Sequence, residues 1–185
     1  MKQKNNIPTI KCYYILALLA LLLSGCKKHP IINQTQHILF QYEYLNVSDD
    51  HIHKGFYIDD KGSVFVYNNP EEWNFPAVNY YISEEQLADN LSKCTQTELK
   101  IMPEQLAKFS AHIKNISSSK ITAVKKGNQD MWNAIFLCYN YSESAETYKG
   151  TVIKMEGSHS CENLNFFSKK ISDWMKEVNN SISKK

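Results

Sequence analysis

Two histidines in the segment DDHIHKG, His51 and His53, are two positions apart. Side chains two apart on a β-strand point the same way, so these imidazoles could share a metal ion, with Asp49 or Asp50 adding an oxygen ligand. A catalytic zinc needs a third protein ligand. The remaining histidines of the predicted domain lie in no ligand-like motif: His37, His112 and His159. We therefore favour a polar loop that enters a strand, and keep His51 and His53 as the metal candidates.

The segment GSHSCEN, residues 157–163, brings serine, histidine and cysteine together in the chain. A nucleophile and its base must meet in space through a turn, and direct neighbours in sequence seldom achieve that geometry. The chain also lacks the G-x-S-x-G motif of a nucleophile elbow. We predict instead a loop that caps the last helix, with Ser160 or Asn163 as its N-cap.

Two further motifs indicate structure rather than chemistry. Asp59 and Asp60 could bind calcium only with more oxygen ligands at alternate positions and a closing glutamate, which the segment IDDKG lacks. A turn fits better, because Gly62 can adopt the left-handed backbone conformation that a type I turn with a bulge requires. The six glycines are not clustered into a phosphate-binding loop. We expect neither nucleotide chemistry nor a cofactor.

Four aromatic residues lie in or beside a loop that contains two prolines: Trp73, Phe75, Tyr80 and Tyr81. Exposed, they could stack on sugars or on the apolar side chains of a partner. Buried, they would cover the edge of the core. We favour the second interpretation, because most large aromatic side chains are substantially buried.

The amino-terminal segment contains an uncharged run of 11 residues, Tyr13–Leu23. A membrane-spanning helix needs about 20 apolar residues, so this run is about half as long as a span. Lys2, Lys4 and Lys11 precede it, and no acidic residue occurs before Cys26. A basic start, a short apolar middle and small residues at the end predict a secretory signal peptide.

The end of that segment, Leu23-Ser24-Gly25-Cys26, resembles the lipobox of bacterial lipoproteins, in which a leucine and two small residues precede an obligatory cysteine. The resemblance covers only residues 1–26. It implies cleavage before Cys26 and attachment of a diacylglycerol to its thiol, with palmitate-like acyl chains. Each buried methylene contributes about 0.8 kcal/mol, so two or three acyl chains would hold the protein stably at a membrane.

This resemblance, together with composition, predicts the organisation of the chain. We expect a signal peptide, a lipidated cysteine with a polar tether, a single globular domain and a short tail, over residues 1–25, 26–36, 37–181 and 182–185. Removal of residues 1–25 takes away three lysines and no acid, which changes the formal net charge from +2 to −1. A near-neutral protein without arginine gives no reason to expect nucleic acid as a partner.

Three cysteines remain after the lipidated one: Cys94, Cys138 and Cys161. An exported protein meets conditions in which disulfides form, and three thiols allow one bridge with one thiol left over. The sequence does not select the pair. Alternatively, all three are reduced and buried as small apolar side chains.

The pattern of apolar residues indicates the secondary structure. Ile38, Phe40, Tyr42 and Tyr44 alternate, so they should share one face of a first strand. Two runs rich in β-branched and aromatic residues flank the turn at 59–62 and predict a hairpin.

Helices and further strands follow this hairpin. Ser83 and Gln86 form a capping box for one helix, and Pro103 suits the first turn of the next. The apolar stripe of that second helix is Leu106, Phe109, Ile113 and Ile116. Two strands, over 131–141 and 148–156, precede a last helix from about 163 to 179.

The order of elements predicts an α+β fold, an antiparallel sheet of about five to six strands with about three helices packed mainly on one face. The residues expected in its core are Ile38, Phe40, Phe65, Phe136, Ile153, Ile171 and Trp174.

These observations favour a non-enzymatic, membrane-anchored envelope lipoprotein that binds a protein or an envelope component. One version is an immunity-type lipoprotein that neutralises a toxin at the membrane. In a diderm host we expect it at the outer membrane facing the periplasm, because Lys27 does not match the aspartate that favours inner-membrane retention. Its expected partners are lipid, through Cys26, and a protein, with no nucleic acid or nucleotide. The alternative is a metal-dependent periplasmic hydrolase that uses His51 and His53.

Overall fold

The computed structural model describes residues 37–48, 51–127 and 131–184. The predicted signal peptide, Cys26 and the tether lie outside the described residues, as do Asp49 and Asp50. No helix within the described ranges is long and apolar enough to cross a membrane.

An antiparallel sheet, with nine strands among the described residues, forms the centre of the fold. The strands are β1 (Ile38–Asn46), β2 (Ile52–Asp59), β3 (Ser63–Asn68), β4 (Tyr81–Ser83), β5 (Thr95–Lys100), β6 (Lys125–Lys126), β7 (Trp132–Ser142), β8 (Thr147–Gly157) and β9 (His159–Glu162). Their order is β5-β3-β2-β1-β7-β8-β9-β6, and β4 pairs with β8. The sheet is larger than the five to six strands predicted, because β4, β5, β6 and β9 are short or polar strands without the alternating apolar pattern of a half-buried strand.

Four α-helices and a short 3-10 helix, Glu143–Ala145, complete the described part of the domain; the α-helices are α1 (Glu84–Ser92), α2 (Pro103–Ser110), α3 (Ile113–Ser117) and α4 (Ser168–Ser183). The α+β class is therefore confirmed. The helices pack mainly on one face, as predicted: α2, α3 and α4 lie on the same face of the sheet, and α1 lies on the opposite face.

Each face of the sheet has its own core. The first core lies under α2, α3 and α4, where Phe109, Ile116 and Trp174 pack on strand residues such as Phe40 and Phe136. The second core lies under α1 and the loop between β3 and β4, and it includes Tyr57, Tyr67, Leu87, Leu137 and Tyr139. A sheet that is covered on both faces explains why β7 is apolar on both sides and lies between β1 and β8.

The first strand does not keep one face throughout. Its pairing with β2 shifts register between Ile38 and Phe40, so Ile38 belongs to the second core while Phe40 belongs to the first. An extra residue in one strand reverses the side on which its neighbours point. The predicted core residues are buried, except that Phe65 is only half-buried.

Local signals in the sequence are confirmed at two positions. The Gly62 N–H donates to Asp59 O across the β2–β3 turn, and Gly62 has a φ of 77°. At the start of α1, the Ser83 hydroxyl accepts from Gln86 N, while the Gln86 side chain accepts from Ser83 N. The predicted start of the last helix was wrong: residues 159–162 form β9, α4 begins at Ser168, and neither Ser160 nor Asn163 caps it.

Candidate functional site

The structure places His53 against a carboxylate that the sequence analysis overlooked. Glu43 lies in the central strand β1, and its side chain is only 6% exposed. His53 Nε2, from the adjacent strand β2, lies 2.9 Å from Glu43 Oε1. An imidazole N–H that donates to a buried carboxylate satisfies a group that would otherwise be costly to bury.

Aromatic rings surround this pair on the second face of the sheet. The centroid of the His53 ring lies 5.1 Å from that of Tyr67, 5.3 Å from Trp73 and 5.2 Å from Phe75. Trp73 in turn lies 4.5 Å from Tyr67. The structure therefore brings together one metal candidate and two of the four aromatic residues that the sequence singled out.

A row of buried polar groups continues from the pair. Gln41 Nε2 donates to the Tyr67 hydroxyl at 3.1 Å, and the Tyr139 hydroxyl donates to Gln41 Oε1. Burial raises the pKa of Tyr67, of Tyr139 and of the neighbouring Tyr57 far above the usual range, and the Glu43 carboxylate adds to this effect. The raised pKa favours the neutral phenol, and Tyr67 and Tyr139 donate hydrogen bonds to Tyr42 O and to Gln41 Oε1.

The predicted metal pair is not assembled as a strand motif. His51 precedes β2 in a left-handed backbone conformation with a φ of 39°, and it is exposed, whereas His53 contacts Glu43. Within the described residues, no three His, Cys, Asp or Glu side chains are grouped so that they could hold a metal ion. The histidines once considered as third ligands lie elsewhere; for example, His112 stacks on Phe167, and burial lowers its pKa.

The three cysteines of the domain are free thiols, so the bridge considered among them is not formed in this structure. Cys138 packs in the first core, while Cys161 lies in the second and Cys94 packs against it. Burial raises the pKa of Cys94 and of Cys138 to about 12 and also raises that of Cys161. The thiolate is the reactive form of cysteine, so a raised pKa makes these thiols unreactive. They serve as small apolar side chains in the two cores.

The loop between β3 and β4, residues 69–80, covers the aromatic cluster; we call it the β3–β4 loop. Three of its residues have positive φ without being glycine: Asn69 at 47°, Glu72 at 50° and Tyr80 at 58°. Such conformations are unfavourable for residues with a side chain, and they persist only where the surroundings enforce them. Strands β2 and β8 hold the two ends of the loop, because Asn69 N donates to His53 O and Tyr80 O accepts from Gly150 N.

Side chains of α1, with Lys93 directly after it, hold the middle of the loop. Asn90, which is fully buried, accepts from Asn74 N through Oδ1 and donates to Asn74 O at 2.8 Å. Lys93 donates to Glu72 O and pairs with Asp89 at 2.7 Å, and Asp89 also accepts from the Asn74 side chain. These hydrogen bonds with Lys93 and Asn74 lower the pKa of Asp89. The loop is thus fixed to the helix that caps the second core.

The fixed loop presents apolar side chains to solvent. Phe75 is 57% exposed and Val78 is 98% exposed, and Tyr81, just after the loop, is 43% exposed. Trp73 and Tyr80 instead pack against the second core. The expectation that these aromatic residues cover the core therefore holds for Trp73 and Tyr80, and Phe75 and Tyr81 lie at the surface.

Gln41, Glu43 and Asn90 are the residues that sequence reasoning missed. Gln41 and Glu43 alternate with apolar residues along β1, which is the pattern of a strand with one solvent-facing side. The sequence does offer one signal, the carboxylate of Glu43 on a strand predicted to lie in the sheet. If that face is covered, the carboxylate needs a buried partner, which would have directed attention to its neighbours.

Comparisons with known proteins give no analogue for this arrangement. A scan against models of protein families, a search of curated proteins and a search of solved structures each return no match to the chain. The site has to be interpreted from its own geometry. That geometry consists of a buried polar row, an aromatic cluster above it and a fixed loop that exposes apolar side chains.

Proposed function

We propose that this chain is a membrane-anchored envelope lipoprotein that binds a protein partner through the β3–β4 loop. The anchor is lipid on Cys26, supported by the basic, apolar and lipobox segments of residues 1–26. In a diderm host the domain faces the periplasm from the outer membrane. An immunity-type protein that neutralises a toxin at the membrane is one form that this function takes.

The observation that carries the binding proposal is the exposed apolar surface of a strained, fixed loop. An apolar side chain such as Val78, 98% exposed, gains nothing from this position in the free domain. A loop already held in one conformation loses little conformational entropy on binding, so more of the contact energy remains as affinity. Backbone strain in an ordered loop is typical of functional sites.

Membrane anchoring is tested by fractionation of cells that produce the full chain. The wild-type protein should be found in the membrane fraction, with mass spectrometry showing a lipid-modified peptide that begins at Cys26. Cys26→Ala should leave the protein unprocessed and without lipid. Intact residues 1–25 on most of the mature protein, or no change on Cys26→Ala, would refute the anchor.

Partner binding is tested by crosslinking in the same cells, followed by quantitative capture of the full chain. A partner at equimolar ratio should be lost from the double variant Phe75→Ser, Val78→Ser. The matched control is Met102→Ser, which also removes an exposed apolar side chain, 64% exposed, between β5 and α2. Equal loss in the control would show that the β3–β4 loop is not the binding surface. Stoichiometric zinc in the purified protein would favour the alternative hydrolase.

A further inference from the structure

We propose that the outer edge of β8, between β4 and β9, binds an extended acidic segment of the partner protein, an inference that rests on the proposed function. On this edge β4 pairs with Thr147–Lys149, and β9 pairs with Lys154 and Met155. No described strand pairs with Thr151 or Val152 on this side. The two short strands therefore leave an opening in the edge of the sheet, which we call the β8 gap.

The backbone of β8 is oriented to pair across this gap. Gly150 N donates to Tyr80 O at 2.8 Å, so the peptide groups of Gly150 point towards the outer edge. In an antiparallel strand alternate residues direct their N–H and C=O groups to the same side, which aims the groups of Val152 into the gap. At the far end the β7–β8 register shifts between Phe136 and Leu137, which leaves Ile153 as an extra residue, and its C=O also turns to this edge and accepts from Asn163 N at 3.0 Å. Strand edges of this kind bind extended segments by adding them to the sheet.

A cavity of about 430 Å³ lies over the gap. Apolar side chains form its rim, with Val78 and Tyr81 at one end and Ile121, 42% exposed, at the other. The rim therefore includes Val78, one of the two exposed residues that the proposed function uses, so the loop and the gap share part of one surface. Because Gly150 N and Ile153 O are already paired within the domain, only Thr151 and Val152 are open, and at about 3.3 Å per residue two residues of an extended segment would pair there.

The charge of the cavity selects the segment. Lys149 is the one charged residue among those that line it, and its ammonium lies 5.5 Å from the centre of the Tyr81 ring. The Ser117 hydroxyl, also in the lining, is already engaged by Thr151, Asn140 and the Cys138 thiol. The Lys149 ammonium therefore selects the segment, because an ammonium complements a carboxylate. An extended segment that alternates apolar and acidic side chains fits this surface.

The test uses synthetic peptides and the full-length, isotope-labelled protein in detergent. Acetyl-Val-Glu-Val-amide should shift the NMR amide signals of residues 150–153. The analogue acetyl-Val-Lys-Val-amide should bind at least about fivefold more weakly. A Val-Glu-Val peptide methylated at every backbone nitrogen should not bind, because it cannot pair with the strand.

A charge reversal supplies the matched control. Lys149→Glu should reverse the preference between the two peptides, whereas Lys100→Glu, an exposed lysine on the opposite edge strand β5, should leave it unchanged. Equal binding of both peptides, signals that shift elsewhere, or no saturable shift at the solubility limit of the peptide would overturn the β8 gap. If the gap fails while Phe75→Ser, Val78→Ser still loses the partner, the proposed function stands without it. If the peptides bind but no partner is captured, the proposed function fails instead.

Discussion

Removal of His53 should strongly destabilise the domain, because it leaves the Glu43 carboxylate buried without its partner. The two side chains are 12% and 6% exposed and lie 2.9 Å apart. Breaking a buried pair by removing one member costs about 3–5 kcal/mol. We expect His53→Ala to fall in this range, which is a large share of the roughly 5–15 kcal/mol that stabilises a typical domain.

A double-mutant cycle separates two costs of His53→Ala: the cost of leaving the Glu43 charge buried without a partner, and the cost of losing the packing of the His53 ring. Glu43→Gln keeps the shape of the side chain and an oxygen that accepts from His53, so alone it should cost about 1 kcal/mol. His53→Ala should cost less in the Glu43→Gln background than in the wild type, since no charge is then left buried. The coupling should lie between about 0.5 and 3 kcal/mol.

Urea unfolding at neutral pH, followed by far-UV circular dichroism, measures all four proteins. The slope of unfolding free energy against urea should stay constant across the cycle, so that differences in midpoint report stability. Strictly additive costs, or a His53→Ala variant within about 1 kcal/mol of the wild type, would refute the dependence of Glu43 on His53.

Three further predictions concern residues outside this pair. Trp174→Ala should cost about 3–5 kcal/mol, because the ring is 3% exposed and packs in the first core. Trp174→Phe should cost less, because the buried indole N–H finds no hydrogen-bond partner among the described residues; an unchanged thermal melt for the alanine variant would contradict the packing. Burial should protect Cys94, Cys138 and Cys161 of the folded protein from a chromogenic disulfide reagent at about pH 8 until urea is added. Rapid labelling of any of these three thiols in the folded protein would contradict this prediction. Burial opposes ionisation of Glu156, but hydrogen bonds from two lysine ammonium groups prevail and lower its pKa. The stabilisation that Glu156 gives to the folded state is therefore fully present at a pH above its pKa in the unfolded chain. It is lost as the pH falls through the lower pKa of Glu156 in the folded protein. Glu156→Gln should therefore destabilise by less than about 1 kcal/mol at neutral pH, since the side chain is partly exposed, and the difference should vanish in acid.

Much of the fold could be predicted because its signals are local. The turn before Gly62 and the capping box at Ser83 each depend on a few neighbouring residues. The apolar stripe from Leu106 to Ile116 is also buried as predicted, but the single helix predicted there is divided, because α2 ends at Ser110 and α3 begins at Ile113. Strand β7 is apolar on both faces over residues 134–139, which is typical of a central strand, and it lies between β1 and β8. In these segments propensity, turn chemistry and burial all favour the same structure.

The face on which α1 packs could not be predicted in this way. Its apolar stripe shows that one side is buried, yet the stripe is equally compatible with either face of the sheet. The short strands could not be predicted for a related reason. A strand such as β5, TQTELK, is largely exposed and shows little hydrophobic alternation. Backbone pairing with β3 creates it, and that pairing is a long-range contact.

The candidate site was predicted only in its parts. His53, Trp73 and Phe75 were each singled out, but as a metal ligand and as members of a loop. Their meeting depends on the β3–β4 loop folding back over the sheet, and no local pattern encodes that return. The same event turns Glu43 from an apparently solvent-facing residue into a buried charge.

The position of the β3–β4 loop follows from a residue in the sheet below it, and this gives a last prediction. A Cβ on Gly55 would lie 2.0 Å from Tyr42 O and 2.5 Å from the Tyr67 hydroxyl. Trp73 packs on Tyr67, and both rings contact His53, which in turn contacts the exposed Phe75. Displacing Tyr67 must therefore also change the position of Phe75.

Gly55→Ala should therefore destabilise the domain by about 1–3 kcal/mol, as overpacking of a close-packed interior does. It should also weaken capture of the partner, although Gly55 itself is not an exposed residue of the loop. A matched change, Ala107→Val on α2, alters a partly buried small residue away from the second core and should leave capture unchanged. Wild-type stability and wild-type capture in Gly55→Ala would show that the sheet does not position the loop.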